Sequence, residues 1–214
     1  MTRREAVALM GLSGAALLAR GAAAQSTGRV PGCVVRPQQT EGPFFIDEKL
    51  NRSDIRSNPG RSDARPGAIL ELAFAVSRLN GGACAALGGA QVDVWHCDAL
   101  GAYSDGAQKF LRGYQVTDGT GAARFVTIYP GAYGGRAVHI HFKIRAQGQE
   151  FTSQIYFDEA VTDRVYALPP YARSGRRLSN DGDGLFRSGG RQLLVTPTAS
   201  GAGYATTFEI ALST

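Results

Sequence analysis

Cysteine and histidine are scarce in this chain, at 3 residues each among 214, and there is a single tryptophan. Three cysteines cannot build a disulfide-scaffolded miniprotein or a four-cysteine zinc site. Charge is sparse as well: 19% of residues are charged against 43% hydrophobic, which excludes a disordered chain. The length suits one compact domain, or two very small ones, with a genuine apolar core. Internal repeats and low-complexity tracts are missing. No block of like charge backs the formal net charge of +5. Arg52, Arg56, Arg61 and Arg65 come closest, but Asp54 and Asp63 interrupt them. That pattern reads as a solvated loop and removes the main support for a nucleic-acid partner.

Long apolar runs are lacking after the N-terminus, so no membrane span is expected in the mature chain. The run from Ala6 to Leu18 is itself too short for a comfortable span. It follows the pair Arg3-Arg4 and precedes Ala22-Ala23-Ala24, a small-residue cleavage signal before Gln25. Residues 1–24 therefore read as a twin-arginine-like export signal, and the protein as periplasmic or extracellular. The segment lacks the lysine of many such signals, which keeps the general secretory route open. The competing reading, a first amphipathic helix, lacks a polar face.

Residues 25–67, rich in Pro, Gly, Ser and Arg, read as an N-terminal arm lying on the surface of a domain formed by residues 68–214. That domain carries β signals at 69–76, 90–95, 124–129, 138–144 and 151–157, with closing strands at 193–196 and 205–212. Gly-Gly, Asp-Gly, Thr-Gly and Pro-Gly pairs separate them. Only 158–168 has a helical pattern, stopped by Pro169-Pro170. Residues 171–191 read as a long loop. The expectation is an all-β fold: a β-sandwich core with long loops, an extended N-terminal arm and one short helix.

The chemistry concentrates between Trp95 and His141. His139 and His141 stand two apart in a strand pattern, which puts both imidazoles on one face. Two neutral imidazoles side by side are a ready pair of metal ligands, although the same spacing also suits the polar face of an edge strand. Pro130-Gly131-Ala132-Tyr133 is a tight-turn signal that delivers a tyrosine just upstream, and Tyr103 follows the 90–95 strand. No carboxylate lies within a few residues of the histidines, so a two-His-one-carboxylate site has no obvious third member. Cys97 is the only close thiol for zinc or copper. Phenolate is a hard anionic donor that a trivalent cation can keep deprotonated, so two tyrosinates with two histidines make a sensible ferric site.

Five motifs occur in order: Thr40-Glu41-Gly42-Pro43-Phe44-Phe45, Val92-Asp93-Val94-Trp95-His96, Gly101-Ala102-Tyr103, Pro130-Gly131-Ala132-Tyr133, and Arg136-Ala137-Val138-His139-Ile140-His141. Together they resemble the intradiol ring-cleavage dioxygenases, in particular their short, exported, single-chain branch, over roughly residues 38–212. The resemblance implies a β-sandwich holding non-haem Fe³⁺ on Tyr103, Tyr133, His139 and His141. It implies catalytic roles for Tyr133, which would yield its place and take a substrate proton, for Arg136, and for Gln154 on the strand after the histidines. The implied reaction joins a catechol-type substrate with O₂ to give a cis,cis-muconate-type diacid. Two departures stand out. Ala137 replaces a proline found in many relatives, and Gly134-Gly135 stands where some have tryptophan, so a substrate cannot be copied across.

Two other classes compete with that reading: a non-catalytic exported β-sandwich binding module that retains the fold, and an exported copper enzyme. The first should have lost a ligand, yet all four positions are filled. One type of the second needs a histidine at the mature N-terminus, where Gln25 is expected. His96 reads as a residue that supports the ligands from behind or packs, rather than as a ligand itself. Among Cys33, Cys84 and Cys97 one pair can bridge, and the sequence does not choose it. Self-association is also left open.

Overall fold

The computed structural model describes residues 33–173 and 177–213. The segment 1–24, read as an export signal, lies outside the described residues. Two sheets face each other. The first contains β1 (Ile69–Asn80), β2 (Ala83–Ala86), β5 (Ala122–Ile128), β9 (Thr198–Ser200) and β10 (Gly203–Ser213). β1 is long enough to take two partners along one edge: β5 pairs antiparallel with residues 69–75 and β2 with residues 77–80. Its other edge pairs in parallel with β10. The second sheet has the order β4 (Arg112–Val116), β3 (Gln91–Trp95), β6 (His139–Ala146), β7 (Gln149–Phe157), β8 (Leu194–Val195).

Alternation along these strands decides what lies between the sheets. Leu70, Leu72, Phe74 and Val76 of β1 are buried against Val92 and Val94 of β3 and Ile140, Phe142 and Ile144 of β6 in one apolar core. Phe74 is its centre, with ring centroids 5.4 to 6.1 Å from Phe125, Phe142 and Phe208. The rings meet at steep angles, as aromatic quadrupoles prefer.

All seven expected strands are present within a few residues. β2, β4 and β9 are additions, and two helices replace the single one expected. α1 (Glu159–Tyr166) is capped by Asp158, whose side chain accepts from the Val161 N–H. The expected loop at 171–191 is corrected by the structure: it holds 3-10 turns at Tyr171–Arg173, Asn180–Gly182 and Gly190–Leu193 and the short helix α2 (Gly184–Arg187). Ser179 and Asp183 close two of these turns through their side chains. Such caps stabilise single turns that lack any hydrophobic period, so composition alone hid them.

The described part of the arm, 33–67, runs over the surface as expected. It bridges to β10 at Val35, to β7 through Gln39 N–H and Thr152 O (3.1 Å), and to β4 and β5 at Asn51 and Asp54. Cys33 is disulfide-bonded to Cys84 of β2, while Cys97 is a free, buried thiol. Among the described residues no helix is long and apolar enough to cross a membrane.

Candidate metal centre

Because Ile140, Phe142 and Ile144 face the core, the strand's alternation turns His139 and His141 to the outer face of the second sheet. Their cross-strand neighbours share that face: Trp95 and Gln154 flank His141, and Tyr156 pairs with His139. The Trp95 indole stacks on the His141 ring at 5.2 Å and 7°. The arm covers the pair from outside. Gly42 comes so close that a Cβ there would lie 3.2 Å from His141 Cε1.

His139 donates its Nδ1–H to Ala137 O at 2.7 Å, which leaves Nε2 with its lone pair. That Nε2 lies 3.1 Å from His141 Nε2 and 3.4 Å from the Tyr103 hydroxyl. Burial, reinforced by Arg136, pushes the His139 pKa down to about 4. His141 falls well below its ordinary value through burial, His139 and Arg136. Both rings are therefore neutral at neutral pH and can act as ligands. Burial pushes the Tyr103 phenol up.

Two turns bring the tyrosines in. Asp98 Oδ1 accepts from the N–H groups of Leu100 (3.0 Å) and Ala102 (2.9 Å), folding the chain toward Tyr103. Gly101 sits at φ +88°, and a Cβ there would strike Ala132 O at 2.2 Å, so only glycine lets the Tyr103 turn meet the Tyr133 turn. The two phenol rings stand edge-on at 5.2 Å. Phe44 of the arm stacks on Tyr103 (4.1 Å) and meets Tyr133 edge-on (5.2 Å). Buried Arg112 of β4 bonds Ser104 through Nε (2.6 Å) and reaches Phe44 O (3.2 Å), tying the Tyr103 loop to the arm.

Arg136 and Gln154 are also brought together here. Arg136 Nη2 donates to Gln154 Oε1 (2.7 Å), and Gln154 Nε2 donates to Thr40 O (3.0 Å). Gln154 is thus buried and braces Arg136 against the arm. Arg136 and Tyr133 line an open cavity of ≈ 520 Å³, with Gly134, Gly135 and Ser179 on its walls. His96 lies apart from the cluster, bonded to Cys97 O (2.7 Å) and Thr127 Oγ1 (2.6 Å), a packing residue as expected.

Among the described residues no three His, Cys, Asp or Glu side chains gather into a metal cluster, so a cation here would have to draw on the phenols. Two nitrogens about 2.1 Å from one ion stand about 3 Å apart when they are neighbouring ligands. The 3.1 Å separation of the two Nε2 atoms meets that requirement. His141 Nδ1 has no hydrogen-bond partner among the described residues, so the protein's own bonds do not choose the tautomer of that ring. Hard phenolates beside neutral imidazoles suit Fe³⁺, and the set fits.

Sequence reading missed Arg112, Asp98, Gln39, Tyr156 and Asp183, and it quoted Gly42 and Phe44 without a role. Asp98 and the arm residues lay inside or beside quoted motifs. Asp183 carried no local signal.

Known proteins resemble this chain in sequence and in fold. A family profile described as Dioxygenase matches residues 40–177. The structure of an intradiol ring-cleavage dioxygenase from Tetranychus urticae is 31% identical, covering 84% of this chain and 94% of that one, with a TM-score of 0.75. The dioxygenase domain of a dioxygenase carbohydrate-binding protein fusion from Streptomyces sp. SirexAA-E is 30% identical, covering 84% and 98%, with a TM-score of 0.63. Catechol 1,2-dioxygenase of Candida albicans is 35% identical over 38% of this chain, a match spanning only 36% of that relative's length. On the matched profile and a structural likeness over 84% of its length, this chain belongs to the intradiol ring-cleavage dioxygenase family.

Proposed function

We propose that this protein is an exported non-haem Fe(III) intradiol dioxygenase, cleaving a catechol-type ring with O₂ to a cis,cis-muconate-type diacid. One observation carries the reading: the imidazoles of His139 and His141 and the phenol rings of Tyr103 and Tyr133 gather on one sheet face, beside a cavity lined by Arg136. Held by these four side chains, ferric iron would supply Lewis-acid activation of the catechol oxygens.

The chain's own groups do the rest. His139 and His141, kept neutral by burial, present lone pairs without competing protons. Tyr103 is held by the Phe44 stack and by the loop that Arg112 fixes. Tyr133, half-buried on the cavity wall, would be a phenolate when the iron is held, and in that form its Oη could take up a substrate hydroxyl proton. The Arg136 guanidinium, braced by Gln154, offsets negative charge that develops on the ring, as preorganised donors do. Gly134 and Gly135 leave that wall without side chains. Export is supported by the Cys33–Cys84 disulfide, a bond that persists in oxidising compartments.

The purified, iron-loaded protein should be red-brown through tyrosinate-to-iron charge transfer, and Tyr133→Phe should weaken or shift that band. Oxygen uptake should follow addition of catechol, protocatechuate or hydroxyquinol. An iron-replete but colourless protein would refute the site. Colour without oxygen uptake on any catechol would point to the non-catalytic module instead.

A further inference from the structure

Asp183 is drawn to the centre by contacts that the catalytic reading does not use. Its side chain is only 2% exposed. Oδ2 accepts from Arg136 Nε (2.9 Å) and from the Ala137 backbone N–H (2.9 Å), and Oδ1 accepts from the Leu185 N–H (2.8 Å). A buried carboxylate survives only when its lone pairs are matched in this way. Burial opposes its charge, but the Ala137 and Leu185 N–H groups and the Arg136 guanidinium outweigh burial and hold the carboxyl below its ordinary value.

We infer that Asp183 is a positioning residue of the site, clamping the Arg136 guanidinium and its backbone so that the cation is fixed on the cavity wall. An arginine side chain has several freely rotating bonds, and a bond at Nε fixes the plane of its guanidinium. With Nε held by Asp183 and Nη2 held by Gln154 Oε1 and the Tyr156 hydroxyl (3.1 Å), the plane has three anchors. Nη1 has no hydrogen-bond partner among the described residues, although Arg136 lines the cavity. It is therefore the donor left for charge on a substrate. The Ala137 bond adds a second effect. The same residue whose N–H meets Asp183 offers its carbonyl to His139 Nδ1, so one carboxylate braces both the cation and the backbone that orients a ligand. Removing partners one shell from a metal typically costs 10- to 100-fold in affinity or activity. The inference rests on the dioxygenase reading for its kinetic consequence but not for its structural one.

Asp183→Asn removes the charge and the acceptor that faces Arg136 and Ala137 while keeping the cap on α2, because asparagine caps a helix as well as aspartate does. In the metal-free protein, the Arg136 Nε–H resonance should be protected from exchange with water in the wild type and lose that protection in Asp183→Asn. In the iron-loaded protein with catechol, kcat/KM should fall about 10- to 100-fold with iron content unchanged. Made in an Arg136→Met background, the same substitution should cost much less in kcat/KM than in the wild type, leaving only the share carried through the Ala137 backbone. Wild-type protection together with wild-type kcat/KM in Asp183→Asn overturns the inference. So does an equal loss in both backgrounds, which marks a purely structural role. Should Asp183→Asn fail to fold, Asp183→Ser, which retains a cap, is read by the same measurements. If the iron-loaded wild type consumes no oxygen with any catechol, the dioxygenase reading falls, and the Nε–H protection alone decides the role of Asp183.

Discussion

At Gly42 the backbone takes φ +71°, and a Cβ would come within 3.2 Å of the His141 ring. A left-handed conformation costs an L-residue roughly 1–2 kcal/mol before any crowding is counted. Gly42→Ala should therefore lower stability by about that much and displace the His141 ring, weakening iron retention about tenfold or more. Dialysis against a graded chelator, beside urea denaturation of the metal-free protein, checks both effects. His96 and His139 give a pH signature. Burial holds each at about 4, below the ordinary 6.5. Between those values the unfolded chain binds protons that the folded chain refuses. Each contributes stability that is full above about pH 6.5 and falls as pH drops toward 4, by up to about 1.4 kcal/mol per unit; His141 acts in the same sense, and Asp93, which burial raises to about 6, opposes them between about 6 and 4. Denaturation of the metal-free protein across that window should show the slope, and His96→Gln should remove one group's share of it.

Strands and turns differ in how openly they announce themselves. The pair His139 and His141 was legible because a strand repeats every two residues, and the tyrosine turns were legible from Pro and Gly. β4 was not, since Gly113 breaks its apolar signal and Arg112 and Gln115 look like loop residues; Arg112 is nonetheless buried against Ser104. Asp183 was invisible for another reason: its bond to Arg136 spans 47 residues of sequence, and its cap sits in a Gly- and Arg-rich stretch. The arm was legible as an arm, but composition could not reveal that Gln39, Thr40, Gly42 and Phe44 help to form the site. The Cys33–Cys84 bond anchors the first residue of the described part of that element, across 51 residues. Cys33→Ser/Cys84→Ser should lower the free energy of unfolding by about 2–4 kcal/mol. Limited proteolysis should cut the arm of this variant sooner than the rest, with loss of the tyrosinate band following the cut.

At the scale of the molecule, three layers can be told apart: two sheets and, on the outer face of the second, residues 40–45 of the arm with the turns that complete the site. Phe74 belongs to the first junction, where its ring meets Phe125, Phe142 and Phe208. Phe74→Ala should cost about 3–5 kcal/mol of stability, as large core truncations do. At temperatures where the variant remains folded, its tyrosinate band and KM should stay near wild type; calorimetry and spectra on the same sample separate the two effects. β6 shows how far this separation reaches. Its odd-numbered residues, His139, His141, Lys143 and Arg145, serve one face, while Ile140, Phe142 and Ile144 serve the other. Stability and chemistry are thus written in alternate letters of the same eight-residue word. A library varied only at outward positions around the cavity can explore new substrates without disturbing the core, whereas a one-residue insertion or deletion within β6 would exchange the two alphabets and forfeit both at once.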